Sequence, residues 1–539
     1  MFYQKVRHLL AGAAVWLLVL LMATASWAAS DKFRLVWTDD PATTMTIGWC
    51  QVSGDATGVK YGTDAALAGA ATDTDITTRV YDNTVHPEGP ALTNYFVTLT
   101  DLIPDTAYYF AVTDTEGDSQ IMWFKTAPDS PSSFTFIAGG DSRTNTDPRK
   151  WGNELVAKLR PLFIAHGGDY HDDCTNKEMA DWLDEWQLTM SSDNRMYPVI
   201  PAHGNHENDM TDFVQLIFNM PNPDAYYAAD VGGSMMRLYT LNTELEPGVG
   251  YSSFTGQDSA KWDAQEAWLA SDMAANPDST WKIANYHRPL RPHQSGKSEG
   301  TGRIEAWADT FYNNGMDLAV ECDSHLVKYT YPLKPSEDTG SFESFVRDDE
   351  NGTVFIGEGS WGAPHRANDD DKPWTLSSDT FWQFKLIQAS PSNLTIRTVK
   401  FGKYDATGAP VLGYDMNSVS EISQAEQDAD PFAMPAGLDP ILWKPLAGDT
   451  MVLPFTGADV ENTEYVFTGD EWKYLDDGSD QGTDWQAASF DDSSGHQAMA
   501  SSGMVTVMKP RSSATARMLP TNISPPISEK ILPWMMRQR

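Results

Sequence analysis

Pro198-Val-Ile-Pro-Ala-His-Gly-Asn-His-Glu207 joins an apolar, strand-like run to a Gly-Asn-His-Glu turn. A buried strand that stops at such a turn holds one amide oxygen and one imidazole rigidly at its mouth. Alone, the pair is ordinary turn chemistry. Four other apolar runs end in the same manner. Ser133-Phe-Thr-Phe-Ile-Ala-Gly-Gly leads to Asp141, and Pro161-Leu-Phe-Ile-Ala-His-Gly-Gly leads to Asp169. Trp281-Lys-Ile-Ala-Asn-Tyr leads to His287, and Met316-Asp-Leu-Ala-Val-Glu-Cys leads to Asp323-Ser-His325. Strand ends of a layered α/β domain converge on one crevice, so residues far apart in the chain meet there. Carboxylates, imidazoles and an amide suit a pair of divalent or trivalent first-row ions, whereas a thiolate-rich set would indicate structural zinc.

The order Gly140-Asp141, Gly168-Asp169, Gly204 to Glu207, His287 and Asp323-Ser-His325 resembles the calcineurin-like metallophosphoesterases, and within them the purple acid phosphatase branch. The motifs cover Phe134 to Val399. The resemblance implies a two-metal site on a four-layer α/β/β/α sandwich. Asp169 would bridge the ions, with Asp141 and His325 on the first and Asn205, His287 and Asp323 on the second. His206 matches the family's general acid; Asn205, and Arg143 by its guanidinium chemistry, are the other candidate catalytic residues. The ions would be iron, zinc or manganese, with the identity open. The implied reaction is hydrolysis of a small phosphorylated substrate, a monoester in the first instance, by in-line attack of metal-bound hydroxide. A phosphodiesterase or nucleotidase on the same scaffold, and a non-catalytic secreted binding protein, remain as alternatives.

Three positions depart from the family pattern. Asp323 stands where a His is usual, which adds negative charge and favours a harder or more highly charged ion. Asp172 stands where the purple acid phosphatases place a metal-binding Tyr, so no Tyr-to-iron colour is predicted, although Tyr170 and His171 lie closer in sequence. Arg143 stands where many members have a His; it either meets the substrate phosphate through its guanidinium or forms a surface ion pair. His166 and His203 lie within the run-ins and are expected as buried, satisfied groups. Glu207 is expected to orient a neighbouring ligand. Gly359-Ser-Trp-Gly-Ala-Pro-His365 resembles a late loop of the family, without a role assigned to His365.

A formal net charge of -37 and a pI near 4.4 argue against nucleic acid as a partner, since a polyanion would be repelled. Small phosphorylated substrates stay possible because bound cations reverse the local field. Lys5 and Arg7, the apolar run Leu9 to Met22 and the small-residue end Ser26-Trp27-Ala28 read as a secretory signal peptide over residues 1–28, hence a secreted or periplasmic protein without stable membrane insertion. Oligomeric state is left open. With three cysteines, Cys50, Cys174 and Cys322, in an oxidising compartment, the last two either pair as a disulfide or all three stay buried thiols.

The fold class expected is multidomain, α/β plus all-β. Residues 32–127 alternate in short strands separated by turns, a β-sandwich pattern. Leu102-Ile-Pro-Asp-Thr-Ala-Tyr-Tyr-Phe110 within it resembles the turn and Tyr-bearing strand of fibronectin type III domains, an N-terminal domain that purple acid phosphatases often carry. The metallophosphoesterase domain would occupy residues 133–414, closed by the runs Phe381 to Ile387 and Leu394 to Phe401. Residues 415–435 are acidic without periodic apolar spacing and are expected to be a linker. Residues 436–494 resemble the start of a jelly-roll module, which breaks off. In the tail, 495–539, Glu529 is the only acidic residue, and the stretch is either a frameshifted reading of the missing module or a basic, disordered tail.

Overall fold

Apolar β-branched and aromatic runs alternating with amphipathic helices build two large sheets packed face to face. The computed structural model describes residues 28–208, 210–247, 259–445 and 450–454, together with the backbone of two short paired strands, Glu471–Tyr474 and His496–Met499. The expected signal peptide, the rest of the jelly-roll-like module and the basic tail lie outside the described residues.

The first sheet runs, in spatial order, through Asn393–Tyr404, Trp382–Ala389, Phe134–Gly139, Ile164–His166, Pro198–Pro201, Ser30–Val36, Met45–Gln51, Leu92–Leu99 and Thr77–Tyr81. The second runs through Tyr227–Val231, Met236–Thr240, Trp281–Asn285, Leu318–Glu321, Val354–Gly357, Val327–Thr330 and Thr375–Asp379. Phe134, Phe136 and Ile200 from one sheet and Leu238, Ile283, Val320 and Ile356 from the other belong to one buried cluster between them. Leu155, Val156, Met179, Trp182 and Phe213 fill a second cluster beneath the helices Thr146–Leu159, Asn176–Trp186 and Phe213–Phe218. A third, with Trp262, Leu269, Met273, Trp307 and Phe311, lies under the helices of the opposite face. Three apolar interfaces separate four layers, the α/β/β/α arrangement that the family resemblance implied. Among the described residues, no helix is long and apolar enough to cross a membrane.

The N-terminal strands form a sandwich, but one of its two sheets is continuous with the first large sheet. Strand Ser30–Val36 pairs in parallel with Pro198–Pro201, Leu35 opposite Pro198 and Val36 opposite Val199. Pairing removes an exposed strand edge, and it ties the sandwich to the strand that carries the Gly-Asn-His-Glu turn. Arg34, buried at this seam, donates to the Ile217 carbonyl at 2.6 Å and to Asn94 Oδ1 at 2.6 Å. Within the sandwich the Tyr108 hydroxyl accepts from the Ile103 amide at 3.0 Å.

The acidic stretch read as a linker packs back on the catalytic layers. Ser423 and Glu426 form a capping box on the helix Gln424–Ala429. Glu421 and Gln424 receive hydrogen bonds from the buried Arg160, and Gln424 another from Arg195. Strand Met451–Pro454, expected in the jelly-roll module, instead pairs antiparallel with Asn393–Tyr404. Cys50, Cys174 and Cys322 are all free and buried, so the Cys174–Cys322 disulfide does not form. The Cys174 thiol donates to Glu207 Oε1 at 3.3 Å, while Cys322 Sγ packs beneath Gly140 and Gly167.

Candidate metal centre

Each of the five apolar run-ins becomes a strand, and the residues after the strand ends converge. Asp141 follows Phe134–Gly139, Asp169 follows Ile164–His166, and Asn205 follows Pro198–Pro201. His287 follows Trp281–Asn285, and Asp323 and His325 follow Leu318–Glu321. Asp141, Asp169, Asp323 and His325 have φ of 54°, 57°, 68° and 60°. Left-handed backbone at four non-glycine residues is unfavourable and persists where the surroundings over-determine it, as at functional sites.

Donor atoms of Asp141, Asp169 and His325 lie within 4.8 Å of one another, and so do those of Asp169, His287 and Asp323. Asp169 is common to both triads. Asn205 joins the second through its Oδ1, 3.2 Å from His287 Nε2. Asp141, Asp169, His287, Asp323 and His325 are all buried.

These groups fit a pair of cations. His325 Nδ1 lies 2.8 Å from the Pro364 carbonyl, and a carbonyl only accepts, so Nδ1 carries the proton. Burial lowers the pKa of His325 and favours the neutral ring. The Nε2 lone pair therefore faces Asp141 Oδ1 at 3.1 Å, with Arg143 Nη2 beside it at 3.5 Å, an arrangement that is repulsive unless positive charge lies close by, which Arg143 supplies from one side and a cation between the two would complete. Asp141 Oδ1 and Asp169 Oδ2 are buried without hydrogen-bond donors. His287 Nδ1 donates to the Gly167 carbonyl at 2.9 Å, which turns Nε2 toward Asp169 Oδ1 at 3.1 Å. An imidazole whose far nitrogen is held by a carbonyl is the usual setting of a metal-binding histidine. Burial alone would lift the Asp169 carboxyl, but His287, His206 and Arg143 outweigh it and hold it well below the carboxylate range.

The remaining candidates surround this pair. The His206 amide donates to Asp169 Oδ1 at 3.0 Å, its Nδ1 donates to the Asp172 carbonyl, and its Nε2 lies 3.7 Å from Asp169 Oδ2. Arg143 is not a surface ion pair: it is buried, with Nη1 on Asp172 Oδ1 at 2.6 Å and Nε 3.4 Å from Asp169 Oδ2. Asp172 thus serves as the anchor of Arg143. Tyr170 turns into the core, its hydroxyl donating to the Ala202 carbonyl at 3.1 Å and its ring stacked on His166. His166 and His203 are buried, and His166 lies 3.1 Å from Ser142 Oγ. His365 packs against Trp382 and Tyr404.

Glu207 locks the two loops to each other. Its Oε2 accepts from the Asp169 and Gly204 amides at 2.9 and 2.8 Å, and its Oε1 accepts from the Tyr170 amide at 2.9 Å. Burial, followed by the nearby Asp169, pushes its carboxyl up to about 7. Glu207→Gln would turn an amide donor toward backbone N–H groups. We expect a loss of about ten- to a hundredfold in metal affinity or turnover, the usual range for groups that orient ligands. Metal content and kcat, measured together, check this; full values of both would remove Glu207 from that role.

Two participants, Lys297 and Arg366, carried no motif signal. Lys297 Nζ sits 2.5 Å from Asp323 Oδ1, and Arg366 Nη1 donates to the Asp323 carbonyl at 2.6 Å. A Cβ on Gly359, whose φ is +79°, would lie 1.7 Å from Asp141 Oδ2, so only glycine lets that loop close on the centre. Gly359 belongs to the late loop that the sequence singled out. Lys297 and Arg366 had no such marker.

Comparison with known proteins gives the same picture. The family model of the purple acid phosphatase N-terminal domain matches residues 30–126, and that of the calcineurin-like phosphoesterases matches residues 143–325. Two curated relatives from Mycobacterium tuberculosis, the uncharacterized proteins MT2654 (strain CDC 1551 / Oshkosh) and Rv2577 (strain ATCC 25618 / H37Rv), are each 23% identical over 310 residues. The match takes in 50% of this chain and 58% of each relative, so the chain spans little more than half their length. Among solved structures, purple acid phosphatase PPD1 from yellow lupin (Lupinus luteus) seeds has a TM-score of 0.55 at 18% identity, over 69% of this chain and 72% of that one. PhoD has a TM-score of 0.51 at 10% identity, over 73% and 90%. At these identities the two structures speak to the fold alone. With its strand-end ligand motifs and both family models in sequence order, the chain carries a purple acid phosphatase N-terminal domain over residues 30–126 and a calcineurin-like phosphoesterase domain over residues 143–325.

Proposed function

We propose that this protein is an exported phosphoesterase that hydrolyses small phosphate monoesters with two ions of iron, zinc or manganese. The observation that carries the reading is the opposed pair of lone pairs, His325 Nε2 and Asp141 Oδ1, beside a second donor triad that shares Asp169. Ions held there supply positive charge to the phosphoryl oxygens and lower the pKa of the attacking water. The chain's own groups supply the rest. Arg143 offers a planar, multi-donor cation suited to phosphate, fixed in place by Asp172 and Thr144. His206 is one-fifth exposed, against at most one-twentieth for the carboxylates and histidines of the two triads, so its Nε2 can hand a proton to a leaving oxygen. The strongly acidic surface favours small substrates drawn in by the centre over polyanions.

Purified, metal-loaded protein given a nitrophenyl phosphate monoester and a bis-nitrophenyl diester tests the reading. Faster hydrolysis of the monoester is expected. A faster diester would overturn the monoester preference, and inertness toward both would overturn the esterase.

Export rests on the basic start, apolar middle and small-residue end of residues 1–28. The N-terminal sequence of protein recovered from the medium or periplasm should begin at Ala29. Intact Met1 in the membrane fraction would count against cleavage.

A further inference from the structure

We propose that Lys297 and Asp323 act as one unit of the centre, the lysine supplying the counter-charge for a carboxylate of the second donor triad; the proposal rests on the two-ion reading above. Asp323 brings its Oδ1 to 3.7 Å from His287 Nε2, inside the second donor triad. The same oxygen is 2.5 Å from Lys297 Nζ, and both side chains are largely buried, at 19% and 5% exposure. An exposed lysine–carboxylate pair contributes little, but in a buried one each partner left alone is a desolvated, unbalanced charge.

Among the described residues, Asp323 has no other side-chain partner of comparable closeness. Arg366 reaches its backbone carbonyl, and Arg288 is taken up by the buried Glu244 at 2.5 Å. Lys297 comes from the loop after His287, where its amide donates to the Gln294 carbonyl at 3.0 Å. Two separate strand-end loops therefore supply the two halves of the unit.

A carboxylate in place of an imidazole adds one negative charge, which by itself would draw a more highly charged ion. Lys297 returns that charge, so the net charge of the centre matches one built with histidine. What remains is the hardness of an oxygen donor.

A double-substitution cycle on the full chain, stripped of metal with a chelator and titrated with zinc alone, tests the pairing. In the stripped protein, Lys297→Met leaves Asp323 buried and unpaired, and we expect Tm to fall by roughly 5 °C or more. With zinc it should bind more tightly than the unsubstituted protein, by about tenfold or more, because a cation has been removed from beside the ion. The paired variant Asp323→His with Lys297→Met should melt and bind zinc much as the unsubstituted protein does, the loss of both partners costing far less than the two single losses together. Melting effects that simply add, or zinc affinity unchanged or weakened by Lys297→Met, would overturn the proposal. Should Lys297→Met not fold, the paired variant decides: recovery of folding and zinc binding supports the unit, and failure to recover overturns it. Zinc that binds the unsubstituted protein while Lys297→Met changes nothing removes only this proposal. No binding of zinc, and none of iron or manganese, by the unsubstituted protein removes the two-ion reading and the proposal together.

Discussion

Asp169→Ala is expected to strip both ions from the centre and to lower kcat/KM for a phosphate monoester by about a thousandfold or more, the several kcal/mol of charge stabilisation that such ions supply. The size follows from position. Asp169 is the residue common to the two donor triads, so its loss removes a ligand from each ion at once. Its oxygens also receive the His206 amide at 3.0 Å and face Arg143 Nε at 3.4 Å, so both neighbours lose a fixed reference. The fold should tolerate the change. The Asp169 amide still donates to Glu207, and alanine at a φ of 57° costs about 1–2 kcal/mol of backbone strain, which aspartate already bears in large part. Elemental analysis, turnover and a thermal melt on the same preparation separate the possibilities. Two ions per chain with undiminished kcat would sink the assignment of Asp169, whereas loss of ions in a protein that melts normally supports it.

The parts of this centre that were legible in sequence share one feature, an apolar run that stops at a polar turn. Asp141, Asp169, Asn205, His287, Asp323 and His325 all sit just past such runs, and parallel strands bring their carboxyl ends together whatever the sequence distance. What holds those residues in place was not legible. His325 is aimed by the carbonyl of Pro364, 39 residues away, and nothing in the local pattern of either names the other. Lys297 lies in a loop without periodicity, where a lysine reads as solvated until its neighbour is known. The disulfide expectation failed for a related reason. Cys174 and Cys322 flank loops of one site, yet one thiol rests on Glu207 and the other beneath Gly140 and Gly167. Nearness to a common site does not bring two thiols within bonding reach. The sandwich strand Ser30–Val36 was recognisable as a strand, but its parallel partner Pro198–Pro201 was not, because an alternating pattern fixes which face is buried and leaves the edge neighbour open. In the acidic stretch 415–435, the capping box Ser423-x-x-Glu426 was there to be read. Its docking on Arg160 and Arg195 depends on cations more than two hundred residues earlier.

His206→Ala should retain both ions and lose the ability to expel a poor leaving group. Its ring contributes no donor to either triad, so metal content is expected to stay near two per chain. Its geometry instead suits proton delivery. Nδ1 is committed to the Asp172 carbonyl, leaving Nε2 to face the centre from its open side, where the ring is one-fifth exposed. General acid catalysis contributes about a hundred- to ten-thousandfold, and it does so only where the departing oxygen needs a proton. For an alkyl phosphate, kcat should therefore drop by roughly a hundredfold or more. A nitrophenyl ester, whose anion leaves readily, should lose far less. An equal loss on both esters would mean that His206 positions Asp169 through its amide and does not act as the acid. Asp172 gives this prediction its counterpart, because its carbonyl holds His206 while its carboxylate holds Arg143 at 2.6 Å. Asp172→Ala removes only the carboxylate, so it should weaken phosphate binding through Arg143, seen as a raised KM, while the difference between the two leaving groups persists. On the proposed reading, Asp172 would then tie the proton donor His206 and the phosphate-binding Arg143 to one short loop.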